Sequence, residues 1–311
     1  MKLDKHTSLN RRSKCEDELV QVSLKTLLDL ARPAAGLVQT KSHIRADLGG
    51  GYLSRFKGRG MEFDETRLYQ PGDDLRTIDW KVTARSGKAH TKIFRDERER
   101  PVFISVDDRA TMHFATRGVF KSVQAAKLAG LLAWIAEQHG DRIGGQIFSE
   151  RMCEELKPQN GKQAVLRFLY ALTSRARPEK ENSFAFEQIL ARLVKHARPG
   201  SLVYIISDFR GLNDAAEKHL AKLAEHCEVQ FILVFDALER MLPEKGRYRF
   251  TDGEREVVID SGEIARIADY RQHFEQRLQR LQQIVRKKSF KLILCGTADD
   301  PVKQLRKLTH G

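Results

Sequence analysis

Pro101-Val-Phe-Ile-Ser-Val-Asp-Asp108 constrains the fold of this chain more than any other stretch. Apolar, β-favouring residues occupy both parities of it, as a strand covered by helices on both faces requires; a strand with one wet face would alternate. It ends abruptly in acids and a polar loop, Arg109-Ala-Thr-Met112, ahead of a long apolar helix. Ser201-Leu-Val-Tyr-Ile-Ile-Ser-Asp208 repeats the pattern. Open α/β sheets bind ligands outside the carboxyl ends of their strands, so these acids mark where a site would sit.

From Pro101 onward strands and helices take turns. Helices are predicted over Val119–His139, Lys162–Thr173, Phe184–Ala197 and Asp214–His226, and a further strand over Val229–Phe235. Arg142–Ser149 and Arg151–Lys157 form a hairpin, and a second hairpin is inserted at Arg247–Asp260, turning near Asp252-Gly253. A striped helix over Glu263–Lys287, a strand over Phe290–Cys295 and a short helix from Pro301 close the chain. This alternation predicts an α/β fold with a mostly parallel sheet and helices on both faces. Before it, Leu19–Leu30 has helical spacing and stops ahead of Pro33, Gly49-Gly-Gly51 is a joint, and Lys92–Arg100 reads as a solvated edge strand. Residues 1–100 are therefore set apart as an N-terminal segment and 101–311 as the main domain.

The 311 residues are ample for a buried core. Lys and Arg outnumber Asp and Glu by 55 to 42, a net charge of +13 that would suit an anionic partner. The basic residues are scattered, with only short runs such as Arg286-Lys-Lys288, which argues against the concentrated footprint of a nucleic acid binder. Cys15, Cys153, Cys227 and Cys295 lie far apart, without zinc or disulfide spacing, and fit a reducing cytoplasm. Neither a signal peptide nor a membrane-spanning run is expected. Phosphate loop, H-E-x-x-H and nucleophile-elbow motifs are absent from the sequence. An enzyme is not the expectation.

The most distinctive stretch precedes the central strand. Pro71-Gly72 fits the middle of a type II turn, and Asp73 and Asp74 follow it as candidates to cap a helical turn or to pair with Arg67, Arg76 or Arg85. A sharper alternative takes Asp73 with Asp79-x-Lys81 as the two carboxylates and lysine of a metal-dependent hydrolase.

At the strand tips, Asp107 and Asp208 resemble the metal-ion-dependent adhesion site of von Willebrand factor A domains, whose first loop reads Asp-x-Ser-x-Ser. The matching positions are Asp107, Arg109 and Thr111, with Ser183 as the nearest match to the third loop. Arg109 is the departure. Its guanidinium has no lone pair and stays charged; at roughly 4 Å and an effective dielectric near 20 it opposes a divalent ion by about 8 kcal/mol. A millimolar site supplies only about 4 kcal/mol. The site is therefore expected to be degenerate and metal-free, with Mg²⁺ admitted only if Arg109 points away, and with Arg109 as counter-ion to both acids.

Glu62-Phe63, Arg67-x-Tyr69, Pro71-Gly-Asp-Asp74, Arg76, Ile78-Asp-Trp80, Ala84-Arg85 and Glu97-Arg98 together resemble the signature of domain-of-unknown-function family fifty-eight. From Pro101 onward the chain resembles that family's Rossmann-like von Willebrand factor A-like domain, preceded by a small β-containing layer. The resemblance implies a soluble, cytoplasmic, non-enzymatic adaptor or co-chaperone of a MoxR-type AAA+ ATPase, acting on a client protein. A nucleic-acid-binding protein and a metal-dependent hydrolase are the rival classes.

Overall fold

The computed structural model describes residues 18–37, 61–96, 100–174, 184–240, 247–251, 256–260, 264–288 and 290–309. In chain order the elements are α1 (Leu24–Asp29), α2 (Ala31–Ala34), β1 (Met61–Leu68), α3 (Trp80–Ser86), β2 (His90–Asp96), β3 (Pro101–Asp107) and α4 (Lys121–Gln138). They continue with β4 (Arg142–Phe148), β5 (Cys153–Gln159), α5 (Gly161–Thr173), α6 (Phe186–His196), β6 (Leu202–Ser207), α7 (Asp214–Ala224), β7 (Glu228–Phe235) and α8 (Ala237–Arg240). β8 (Arg247–Thr251), β9 (Glu256–Asp260), α9 (Ile264–Lys288), β10 (Lys291–Gly296) and α10 (Pro301–Thr309) complete the chain.

The main sheet has the order β10-β7-β6-β3-β4-β5. All its pairings are parallel except β4 with β5. Taken from β5 this is the 3-2-1-4-5-6 order of a doubly wound Rossmann-like sheet, with an antiparallel edge strand, and its switch point falls between β3 and β6. The acid-terminated strands are neighbours there. Period-two alternation divides each central strand between two cores. Val102, Ile104 and Val106 of β3 and Tyr204 and Ile206 of β6 join α4 and α5. Phe103, Val203 and Ile205 face the opposite layer of α6, α7 and α9. Helices therefore cover both faces, as the unbroken apolar pattern requires.

The helix expected over Leu19–Leu30 does end before Pro33, with α1 closing at Asp29, but a second short helix, α2, follows and takes Pro33 into its first turn, where a missing N–H costs nothing. One expectation about the N-terminus is corrected: residues 1–100 do not form one domain, since the chain divides into Met1–Ile44 with Arg100–Gly311, and Arg45–Glu99. The cause is burial. Leu27 is wholly buried, its carbonyl accepts from Trp134 Nε1 at 3.0 Å, and α4 thereby gains a cover on the side away from the sheet. That explains why 14 of its residues are buried and why its amphipathicity is so faint in sequence.

The 45–99 unit holds the β1–β2 antiparallel ribbon, and the solvated edge strand expected over Lys92–Arg100 is, as far as Asp96, the second strand of that ribbon. Gln70 carbonyl accepts from Asp73 N at 3.0 Å across Pro71-Gly72, and Gly72 has φ 109°, the positive φ that a type II turn demands. The inserted hairpin is β8–β9, paired from Arg247↔Asp260 to Thr251↔Glu256; its expected turn at Asp252-Gly253 lies outside the described residues. α8 was not foreseen.

Gly145 sits opposite Ile104 in the β3–β4 register, and a Cβ there would stand 2.2 Å from the Ile104 carbonyl oxygen. Gly145→Ala is expected to destabilise the main unit by about 2 to 3 kcal/mol, the usual cost of overpacking, measured by urea unfolding. An unchanged midpoint would show that β3 and β4 can part without penalty.

Candidate site at the strand ends

β3, β6 and β7 each leave the sheet through an aspartate: Asp107, Asp208 and Asp236, all fully buried. Asp107 faces Arg109. Nε of Arg109 lies 2.9 Å from Oδ1 and Nη2 lies 2.7 Å from Oδ2. Ser207 Oγ donates to the same Oδ2 at 2.6 Å, and the Arg109 backbone N–H donates to Oδ1 at 3.0 Å. Nη2 of Arg109 also stands 3.6 Å from Asp208 Oδ1, so the guanidinium lies against both strand-end acids. Phe186 and Phe148 back it, with ring centroids 4.8 and 5.7 Å from its central carbon.

Asp208 belongs to a second set of contacts. Lys121 Nζ donates to Asp208 Oδ2 at 3.0 Å and to Glu239 Oε1 at 2.8 Å. Arg210 Nη2 donates to the same Glu239 oxygen at 2.8 Å, and Arg210 Nε stands 3.5 Å from Asp208 Oδ2. Lys121 is wholly buried in the first turn of α4, the positive end of the helix dipole and the wrong place for a cation. Two carboxylates offset this. Three cations, Arg109, Lys121 and Arg210, thus neutralise three carboxylates, Asp107, Asp208 and Glu239. Asp236 is held apart from them, accepting from Thr116 N and Oγ1, Thr297 Oγ1 and Leu238 N.

The backbone after β6 aims these groups. Phe209 is buried with φ 53°, a left-handed conformation that costs a non-glycine residue about 1–2 kcal/mol. Its N–H donates to Ser207 Oγ at 2.8 Å, and its ring is fixed edge-on against Phe186 and Phe231. The resulting kink lets the Arg210 N–H reach Asp208 Oδ1 at 3.0 Å and its carbonyl accept from Arg109 Nη1 at 3.0 Å.

Burial raises the Asp208 pKa, but Lys121, the Arg210 N–H, Arg109 and the Arg210 guanidinium overcome it and hold the carboxyl down at about 2. Burial likewise pushes Asp107 up, with Arg109 and the Ser207 hydroxyl drawing it back and Asp208 adding to the rise. Arg109 loses to burial but gains more from Asp107 and Asp208, and its pKa is raised.

The structure brings together Asp107, Arg109 and Asp208 from the sequence-derived set. Thr111 lies on the same loop, its Oγ1 buried without a hydrogen-bond partner among the described residues. Ser183 lies outside them. In the 45–99 unit, Asp73 accepts from Arg67 Nη2 at 2.7 Å and Gln70 N at 2.9 Å, Asp74 caps a 3-10 turn through Arg76 N, and Asp79 caps α3 through Lys81 N and Val82 N. These acids close turns. Asp79 and Lys81 meet through a backbone N–H, and the only side-chain ion pair described for Asp79 is with Lys92, at 3.9 Å. Tyr69 N donates to Ala89 O, Trp80 opens α3 and Arg85 lies in its last turn, and the Glu62 side chain lies outside the described residues.

Sequence reasoning missed Lys121, Arg210, Glu239 and Asp236. Asp236 was findable, since Val229–Phe235 is a third apolar strand followed by an acid. Lys121 carried no local signal, because a lysine opening an apolar helix ordinarily snorkels to water.

A divalent ion does not fit this site as built. It would have to displace a bidentate guanidinium and then sit among carboxylates already balanced by cations, a penalty that a millimolar site does not cover. Among the described residues, no cluster of three or more His, Cys, Asp or Glu could hold a metal ion.

Fold and site together define a Rossmann-like, doubly wound α/β protein whose strand-end acids are neutralised from within the chain. The chain belongs to the family described as Protein of unknown function DUF58, whose model matches residues 65–285. It is 29% identical over 218 residues to Uncharacterized protein Rv1480 of Mycobacterium tuberculosis H37Rv, covering 70% of this chain and 68% of that protein. The same figures hold for Uncharacterized protein Mb1516 of Mycobacterium bovis. Among solved structures it is similar to the conserved hypothetical protein BatB from Bacteroides thetaiotaomicron, at TM-score 0.43 and 14% identity, covering 67% of this chain and 96% of that one. A von Willebrand factor type A protein from Catenulispora acidiphila matches at TM-score 0.36 and 11% identity, over 71% of this chain and 43% of its own.

Removing one partner of a buried ion pair strands the other, so Lys121→Met is expected to cost about 3 to 5 kcal/mol at pH 7. The folded pKa of Asp208, about 2, lies below its ordinary 3.8. Its stabilising contribution, about 2 kcal/mol, is therefore present above pH 4 and lost as pH falls toward 2. Urea unfolding of both proteins at pH 7 and pH 3 should show the variant's deficit shrinking at pH 3, as its stranded carboxylates take up protons. A deficit equal at both pH values would show that Lys121 acts by packing and not by charge.

Proposed function

We propose that this chain is a non-enzymatic protein-interaction module that serves a MoxR-type AAA+ ATPase as adaptor or co-chaperone in maturing a client protein. The observation that carries the non-enzymatic part is the balanced cluster at the strand ends. The place where a sheet of this order would hold a ligand is taken up by Arg109, Lys121 and Arg210 paired with Asp107, Asp208 and Glu239. Groups so paired are poor general acids, bases and metal ligands, and no resident cofactor is invoked. The ATPase partner is what the family resemblance implies, and family membership supports it.

A cytoplasmic location accords with the free thiols of Cys153, Cys227 and Cys295. No helix among the described residues is long and apolar enough to cross a membrane. The hydrolase alternative loses ground because Asp73 and Asp79 are engaged in turn and cap contacts.

The test is co-elution of the purified chain with a MoxR-type ATPase encoded beside it, under conditions that keep the nucleotide-bound hexamer intact. The expected result is a stable complex, with no hydrolysis of nucleotide or phosphodiester by the chain alone. An intact hexamer that ignores the chain would overturn the partner assignment. Mg²⁺-dependent hydrolysis abolished by Asp79→Ala would overturn the non-enzymatic one.

A further inference from the structure

The described residues of the 45–99 unit carry an apolar, cationic surface that their own contacts leave uncovered. Leu68, Leu75 and Trp80 are 53, 65 and 70% exposed, so they account for three of the largest departures from apolar burial in the described chain. The backbone gathers them at one end of the ribbon. Leu68 pairs with His90, the Asp79 N–H just before Trp80 donates to the His90 carbonyl at 2.8 Å, and the Leu75 carbonyl accepts from Ile78 N, with Ile78 bridged to Thr91.

The charge around them is one-sided. From Arg67 through Lys92 the chain carries six Lys or Arg residues and three acids. Asp73 is spent on Arg67, Asp74 on a turn, and Asp79 on capping α3 and on Lys92. Among the described residues, no acid pairs with the exposed side chains of Arg76, Lys81 or Arg85. Lys81 and Arg85 stand one helical turn apart on α3, directly after Trp80.

Tryptophan and arginine are the residue types that most often dominate protein interfaces, where a large side chain fills an apolar pocket inside a polar rim. We propose that Trp80, with Leu68 and Leu75, docks into an apolar pocket of a partner protein whose rim is acidic, and that Arg76, Lys81 and Arg85 pair with that rim. Charge complementarity selects the partner's sign, and the two leucines select protein over nucleic acid. Single-stranded nucleic acid stacks its bases on successive aromatic faces, and a leucine offers none. The proposal concerns the chemistry of the partner and stands whether or not that partner is the ATPase.

The experiment uses the full chain and three fluorescently labelled probes read by anisotropy: a synthetic peptide of alternating Leu or Phe with Glu, its counterpart with Lys in place of Glu, and oligodeoxythymidine. The Glu peptide is expected to bind, and more weakly as salt rises. Trp80→Ala should weaken it by about tenfold or more, as loss of an interface anchor does, and Lys81→Glu with Arg85→Glu should abolish it. Circular dichroism and the urea midpoint should stay unchanged in each variant, because the altered side chains are exposed. Acrylamide should quench Trp80 in the free chain and not in the complex, with Trp134, 6% exposed, as the internal reference. Failure of the Glu peptide to bind, equal binding of the Lys peptide, or unchanged affinity in Trp80→Ala would each overturn the proposal. Binding of the oligonucleotide alone would assign the surface to nucleic acid instead, and a Trp80 already shielded in the free chain would show that the chain covers it itself.

Discussion

The contact on which the rest of this structure depends is the buried bidentate pair between Asp107 and Arg109, joined by Ser207 to the neighbouring strand. Parallel strands that end side by side bring their terminal acids together, and two unpaired carboxylates in a dry site repel and raise one another's pKa. Strand-end acids placed side by side in this way need a positive charge beside them. Here the chain supplies it from three directions: the loop after β3, the first turn of α4 and the loop after β6. Each cation touches two of the three acids or bridges to the next, so the pairs form one network whose members are costly to remove singly.

That network also ties the elements around it. Lys121 fixes the start of α4 against β6, Glu239 fixes α8, and the Arg210 carbonyl receives Arg109 from across the switch point. Glu239 Oε2 accepts from Asp236 N at 3.1 Å, which links the ion pairs to the end of β7. The Phe209 kink is the local strain that this arrangement requires, and edge-on aromatic contacts hold it in place.

Much of the fold was legible in the sequence, because buried parallel strands of β-branched and aromatic residues cannot be mistaken for wet ones. Asp107, Arg109 and Asp208 were legible too, since each ends a strand or follows one directly. What escaped were partners distant in sequence: Lys121 meets Asp208 across 87 positions and Glu239 across 118, and nothing local distinguishes a buried lysine from one that reaches water. The apolar stripe over Leu19–Leu30 announced α1 but not what it packs on, and α2, just beyond it, was not read; only the faint periodicity of α4 hinted that this helix was covered on every side. In the 45–99 unit the turn chemistry of Pro71-Gly72 was legible, while the exposure of Trp80 was not, since an aromatic residue in sequence gives no sign of whether it is inside.

The central claim is that internal cations close the strand-end site. Calorimetric titration of the wild-type chain with Mg²⁺ and Mn²⁺ tests it most directly, with Arg109→Ser as companion because serine removes the guanidinium and puts an oxygen ligand at that position. The account predicts no saturable site in the wild type, and at most millimolar binding in Arg109→Ser. A single divalent ion bound by the wild type at sub-millimolar concentration, and lost in Asp107→Ala, would contradict it.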